Sequence, residues 1–150
     1  MTIRTLTRAA LVAILLLASM SAFAAEATDP ERAAIEATIG KYFQAHATGE
    51  GAFIREAFHP EGKMMWVKDA KLASRTAEEF ASGFSGKAAP DEAQRKRTIE
   101  SIDRTGDVAI AKIILDYPAV KFTDYFMLAK TDGQWRIIAK GYHREAPQKK

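Results

Sequence analysis

A carboxylate stands between two phenylalanines in the stretch Phe122-Thr123-Asp124-Tyr125-Phe126. Side chains of an extended strand alternate between faces. Asp124 therefore shares a face with Val120, Phe122, Phe126 and Leu128, while Lys121, Thr123, Tyr125 and Met127 point the other way. A charge on an apolar face is costly unless it is paired or hydrogen-bonded. Three roles are open to it: a structural anchor bonded to backbone or to a lysine, a ligand-binding group, or a general base whose pKa burial has raised. The natural counter-charge is Lys140, which the alternation puts beside Ile138 and Tyr142 on one face of the following strand. A lysine at the sheet rim with its head in water is an equal alternative.

Other residues carry weaker signals. His59 follows Phe58 at the end of a short helical pattern, where an imidazole can serve as acid, base or ligand, or can satisfy free helix carbonyls. Trp66 can stack on a flat ligand, although packing alone explains it. His46 reads as a core-edge position on a helix stripe, and His143 as a residue of the chain's frayed end. The three histidines have no HxH or HxxxH spacing, so no metal site is expected. No Gly-rich nucleotide motif, nucleophile elbow or HExxH is present, and no cofactor is implied.

The elements that must position these residues follow from periodicity. Asp29 and Pro30 open a helix whose Ile35, Ile39, Tyr42, Phe43 and His46 form one face, and Gly49 ends it. A second short helix follows, closed by His59-Pro60. Lys63–Asp69 and Lys71–Thr76 read as strands with a turn at Asp69-Ala70. Thr76 and Glu79 have the capping-box spacing of a third helix, and Gly83 to Gly86 weaken its far end. After a polar loop the period becomes two, giving four long strands, the last pair joined through Thr131-Asp132-Gly133. Arg95-Lys96-Arg97 reads as a solvated strand edge rather than a nucleic-acid patch. Helices first and sheet second argue an α+β domain. Both faces of Val108–Tyr117 are largely apolar, so both need a cover. Helices supply one, and a second copy of the chain, a homodimer through the sheet, supplies the other.

The first residues have a different character. Arg4 and Arg8 precede an apolar run of ten residues from Ala9 to Ala18, and Ala22-Phe23-Ala24 supplies a small-x-small cleavage pattern. Residues 1–24 therefore read as a cleaved secretory signal, 25–145 as one domain and 146–150 as a polar tail, in a periplasmic or secreted protein. The apolar run is too short for a spanning helix, which needs roughly 20 residues, so no membrane anchor is expected after cleavage. The chain has 22 Lys+Arg against 19 Asp+Glu; losing Arg4 and Arg8 leaves 20 against 19, or +1. That balance gives no electrostatic case for a nucleic-acid partner. The chain has no cysteine, which excludes disulfides and thiolate chemistry.

The order of elements, and above all Phe122, Thr123, Asp124, Tyr125, Leu128, Asp132, Gly133, Trp135, Ile137 and Lys140, resembles the nuclear transport factor 2-like superfamily over residues 29–143. Within it the chain is similar to the group described as putative lumazine-binding proteins. The resemblance implies a cystatin-like cone: a curved, mostly antiparallel sheet wrapped around the N-terminal helices, with a central pocket, commonly dimeric. It also implies a position for chemistry, because isomerase relatives carry a tyrosine on the first helix and an aspartate base on the strand after the second. Tyr42 fits the tyrosine, but no acid lies between Gly62 and Lys68, where Met65 or Trp66 takes the base position. The expectation is an exported, non-catalytic domain binding a small molecule through Tyr42, His59, Trp66, Asp124, Lys140 and Tyr142. The alternatives are an isomerase- or dehydratase-like enzyme with a pocket carboxylate or histidine as base, and an interaction module with a filled pocket.

Overall fold

A computed structural model describes residues 29–145. The export segment and the polar tail read in the sequence lie outside the described residues. The chain divides into two units, Met1–Ala33 and Ala34–Lys150. In the first, Asp29 Oδ1 accepts from the Glu31 amide at 3.0 Å, as a helix cap does. The sheet and the helical residues from Ala34 onward belong to the second.

Helix α1 (Pro30–Thr48) buries Ile35, Thr38, Ile39, Tyr42 and Ala45, which recur at three- and four-residue steps. The Thr38 hydroxyl donates to the Trp135 carbonyl at 3.0 Å and ties the helix to the last strand. Gly49 ends α1 in the left-handed region at φ 78°. A Cβ there would lie 2.0 Å from the Lys87 carbonyl oxygen, so only glycine lets the 83–90 loop close over this turn.

Helix α2 (Ala52–Ala57) is shorter than its sequence suggests. Phe58 turns extended at φ −91° and ψ 150°, and His59-Pro60 lies inside strand β1 (Phe58–Lys68) rather than closing the helix. Proline is tolerated because the β1–β6 register shifts between Phe58 and Lys63, leaving no regular ladder at Pro60. Strand β2 (Lys71–Thr76) returns through Asp69 and Ala70, both at positive φ. Helix α3 (Ala77–Ala81) starts with the expected Thr76–Glu79 capping box. A 3-10 turn (Glu92–Gln94) precedes β3 (Lys96–Thr105), β4 (Val108–Tyr117), β5 (Val120–Thr131) and β6 (Gln134–Glu145).

The six strands form one sheet in the order β2-β1-β6-β5-β4-β3, antiparallel except for the parallel β1–β6 pair. Register shifts on β1, β3 and β5–β6 bend the strands, giving a curved sheet that does not close. Its inner face buries Ala109, Ala111, Ile113, Leu115, Phe126, Leu128 and Ile137. Its outer face is open: Ile110 and Tyr125 are each 57% exposed, with Val108 and Met127 beside them. The arginine edge departs from expectation at Arg97. Its guanidinium donates to both Glu92 carboxylate oxygens at 2.6 and 2.7 Å and to the Tyr117 hydroxyl at 3.2 Å, rather than facing water.

Candidate functional site

Asp124 lies on the inner face as its neighbours require, and it is fully buried. Directly across from it on β6 is Tyr142; Lys140 faces Phe126 and so sits on the diagonal. Strict alternation would place Lys140 on the face opposite to Trp135 and Ile137. The pairing passes from Leu128–Ile137 to Met127–Ala139, leaving Ile138 as an extra residue between them. That bulge corrects the expected grouping with Ile138: Ile138 is the residue that resets the alternation, and it turns Lys140 inward beside the buried Ile137 face.

Three side chains from three elements then meet. Tyr42 Oη on α1 donates to Asp124 Oδ2 at 2.7 Å. Lys140 Nζ donates to Tyr42 Oη at 2.5 Å and lies 2.9 Å from Asp124 Oδ2. Burial, followed by the Asp124 charge and hydrogen bond, raises the Tyr42 pKa well above its usual value, so the phenol keeps its proton. Burial lowers the Lys140 pKa, with the Asp124 carboxylate acting in the opposite direction. Among the described residues no donor reaches Asp124 Oδ1, although that atom is buried. The carboxylate is thus bonded through one oxygen only.

Tyr42 and Lys140 form part of the wall of a cavity of about 140 Å³, with Met64, Phe80, Leu115, Phe122 and Tyr142 among its other sides. Asp124 stands behind this wall and does not line the cavity. Met64 pairs with Lys140 across β1–β6, so the methionine facing the cavity is Met64, one or two residues before the Met65 or Trp66 anticipated there. Trp66 is half-buried and stacks on Tyr142, ring centres 5.7 Å apart, with the Arg75 guanidinium 5.1 Å from its ring. His59 is elsewhere: it lines a separate hollow with Arg55, Phe58, Pro60, Ala77 and Glu78. Of the six residues singled out in the sequence, Tyr42, Asp124, Lys140 and Tyr142 come together, Trp66 lies against Tyr142, and His59 stands apart.

His46, read as a core-edge position, is a cavity residue. It sits edge-on to Tyr42 at 4.6 Å and to Phe84 at 5.3 Å, and its buried Nε2 has no partner among the described residues. It lines both the inner cavity and a wider outer cleft of about 410 Å³; Arg75 also lines both, while Lys87 and Arg95 line the outer cleft alone. The outer space is larger, but the convergent polar groups face the inner one. The signal for His46 was present in its four-residue spacing from Tyr42. Phe80, on the third helix, could not be placed at this site without the tertiary structure. Among the described residues no cluster of histidine and carboxylate side chains could hold a metal ion.

Burial, followed by the charges of Lys140, Arg97 and Arg95, lowers the His46 pKa to about 3, so it is neutral in the folded protein. In the unfolded chain an unperturbed histidine titrates near 6.5. Between these values the unfolded state holds the extra proton, so this contribution is intact above about pH 6.5 and is lost as pH falls toward 3. At pH 5 the loss is about 2 kcal/mol. Urea unfolding at pH 7.5 and 5.0 should show wild type losing this much more stability than His46→Leu; equal losses contradict it.

The chain resembles known proteins across most of its length. Residues 30–143 match the family described as "Putative lumazine-binding". A curated relative, "Aldolase FrzH" of a Cladobotryum species, is 26% identical over 118 residues, covering 77% of this chain and 93% of that protein. The crystal structure of a nuclear transport factor 2-like protein of unknown function from Shewanella baltica superposes with a TM-score of 0.71 at 27% identity, covering 80% of this chain and 99% of that one. A similar protein of unknown function from Methylobacillus flagellatus gives 0.68 at 27% identity, covering 79% and 95%. With its curved α+β sheet and a match spanning nearly every described element, the chain belongs to the "Putative lumazine-binding" family of the nuclear transport factor 2-like superfamily.

Proposed function

We propose that this is an exported, non-catalytic domain that holds a small, flat, partly apolar molecule in the inner cavity. One observation carries the reading: an aromatic cavity, lined also by His46 and Arg75, in which Lys140 and Tyr42 are held in place by a carboxylate behind them. Such a site can donate to a carbonyl or anionic oxygen while ring faces enclose the remainder. The family description points the same way, since a lumazine is flat and carries carbonyl oxygens. The lack of turnover is supported by Met64 in place of an acid on β1, by Asp124 standing outside the cavity lining, and by His59 lining another hollow. These placements count against Asp124 or His59 as an isomerase- or dehydratase-like base, and the cavity itself counts against a filled interaction module. An aldol-type enzyme is a second reading, favoured by the 26% identical relative named as an aldolase.

Lumazine is the first probe. Saturable quenching of tryptophan fluorescence is expected through Trp66, beside the cavity residue Tyr142. Lys140→Met should weaken binding at least ten-fold, about 1.4 kcal/mol, with Asp124→Asn also weakening it. If neither lumazine nor any other flat heteroaromatic gives saturable quenching or a thermal shift, the reading fails.

We also propose that residues 1–24 are removed on export and that two copies pair through the outer sheet face. The apolar strip of Val108, Ile110, Tyr125 and Met127 supports the pairing, because open apolar patches on a sheet mark interfaces. Intact mass and light scattering on the secreted or periplasmic protein test both together. A chain beginning at Ala25 with twice the monomer mass is expected, reverting to monomer in Ile110→Asp. An uncleaved chain contradicts export, and a wild-type monomer contradicts pairing.

A further inference from the structure

We propose that Lys140 is an imine-forming lysine that captures an aldehyde or ketone entering the inner cavity. This rests on the reading of the cavity as a small-molecule site and names the chemical class of its ligand.

An amine forms an imine efficiently when it faces a water-poor space, is fixed in direction, and has groups at bonding distance that take up and return protons. Lys140 meets each condition. It is 4% exposed yet lines the cavity. Its Nζ lies 4.8 Å from the Tyr42 ring centre, 5.5 Å from Phe80 and 5.0 Å from Tyr142, so three aromatic rings limit its direction. Asp124 Oδ2 at 2.9 Å can accept a proton from it, and Tyr42 Oη at 2.5 Å can pass one to an oxygen in the cavity. Met64, Leu115, Phe80 and Phe122 supply the apolar part of a lining that also holds Arg75 and His46, and apolar walls beside the amine slow hydrolysis of the product. Burial also lowers the amine's pKa, making its neutral form more accessible than that of an exposed lysine. By contrast, Lys112 and Lys41 lie on the surface beside Glu100 and Glu56.

The step balances within the triad. The ammonium gives one proton to Asp124, and the freed nitrogen pair forms a bond to the carbonyl carbon. The carbonyl π pair moves to oxygen, which takes the Tyr42 proton, and Tyr42 regains one from Asp124 through its hydrogen bond to Oδ2. A second proton passes from nitrogen to the hydroxyl by the same route. Water leaves with the C–O pair while the nitrogen pair closes the C=N bond. One ammonium and one carbonyl become one iminium and one water, with Asp124 and Tyr42 restored.

Benzaldehyde and sodium borohydride test this on the full chain, with peptide mass mapping after reduction. The expected result is a benzyl adduct on Lys140 forming saturably at pH 7, at least ten-fold faster than on any exposed lysine. Tyr42→Phe should slow that labelling while circular dichroism confirms that the fold remains. Benzyl alcohol, which cannot form an imine, separates the two levels. Its saturable binding without preferential Lys140 labelling by benzaldehyde overturns the imine and leaves the binding reading standing. No saturable binding of benzyl alcohol or lumazine overturns both.

Discussion

An ammonium enclosed by tyrosine and phenylalanine rings keeps its charge only if an opposite charge is within bonding distance. Lys140 has Asp124, and among the described residues Asp124 is bonded by Lys140 and the Tyr42 hydroxyl through one oxygen. Each is a liability without the other, because removing one partner of a buried pair leaves an uncompensated charge. Tyr42 completes the arrangement by donating to the oxygen that Lys140 approaches. The three come from α1, β5 and β6, so helix position, strand register and bulge must all be right at once. The pair specifies the fold locally as well as furnishing the site: a one-residue slip of β6 would carry Lys140 to the outer face.

That dependence also explains what the sequence could disclose. Asp124 was conspicuous because a carboxylate interrupted the apolar face of a strand, a pattern with period two. Lys140 was legible as its partner by charge and by the short Thr131-Gly133 connection, which fixes β5 against β6. Its exact neighbours were not legible, because the extra residue at Ile138 breaks the alternation on which the grouping relied. A bulge of this kind has no composition of its own. Tyr42 was visible as a helix-face residue, but its bond to Asp124 spans 82 residues of chain and depends on how α1 crosses the sheet.

The histidines show the same limit from another side. On sequence alone His59 falls at a helix end, because Pro60 ordinarily marks one. In the structure the irregular start of β1 accommodates the proline, and His59 is directed to a different hollow. His46 carried no local signal of burial beyond its spacing, since histidines at helix edges are usually solvated. Its neutral Nε2, without a partner among the described residues, arises from packing among Tyr42, Phe80 and Phe84, which lie in separate parts of the chain. The apolar outer strip of the sheet, in contrast, was readable directly from the near-continuous hydrophobicity of Val108–Tyr117.

The most direct test of the coupling between the charges is a double-mutant cycle on Asp124→Leu and Lys140→Met, read by urea unfolding at pH 7.5. Each single substitution should cost about 3–5 kcal/mol by stranding a buried charge. The double variant should be more stable than either single one, because neither charge then remains. Additive losses, with the double variant the least stable of the three, would contradict the account that these two charges are held in the core by one another.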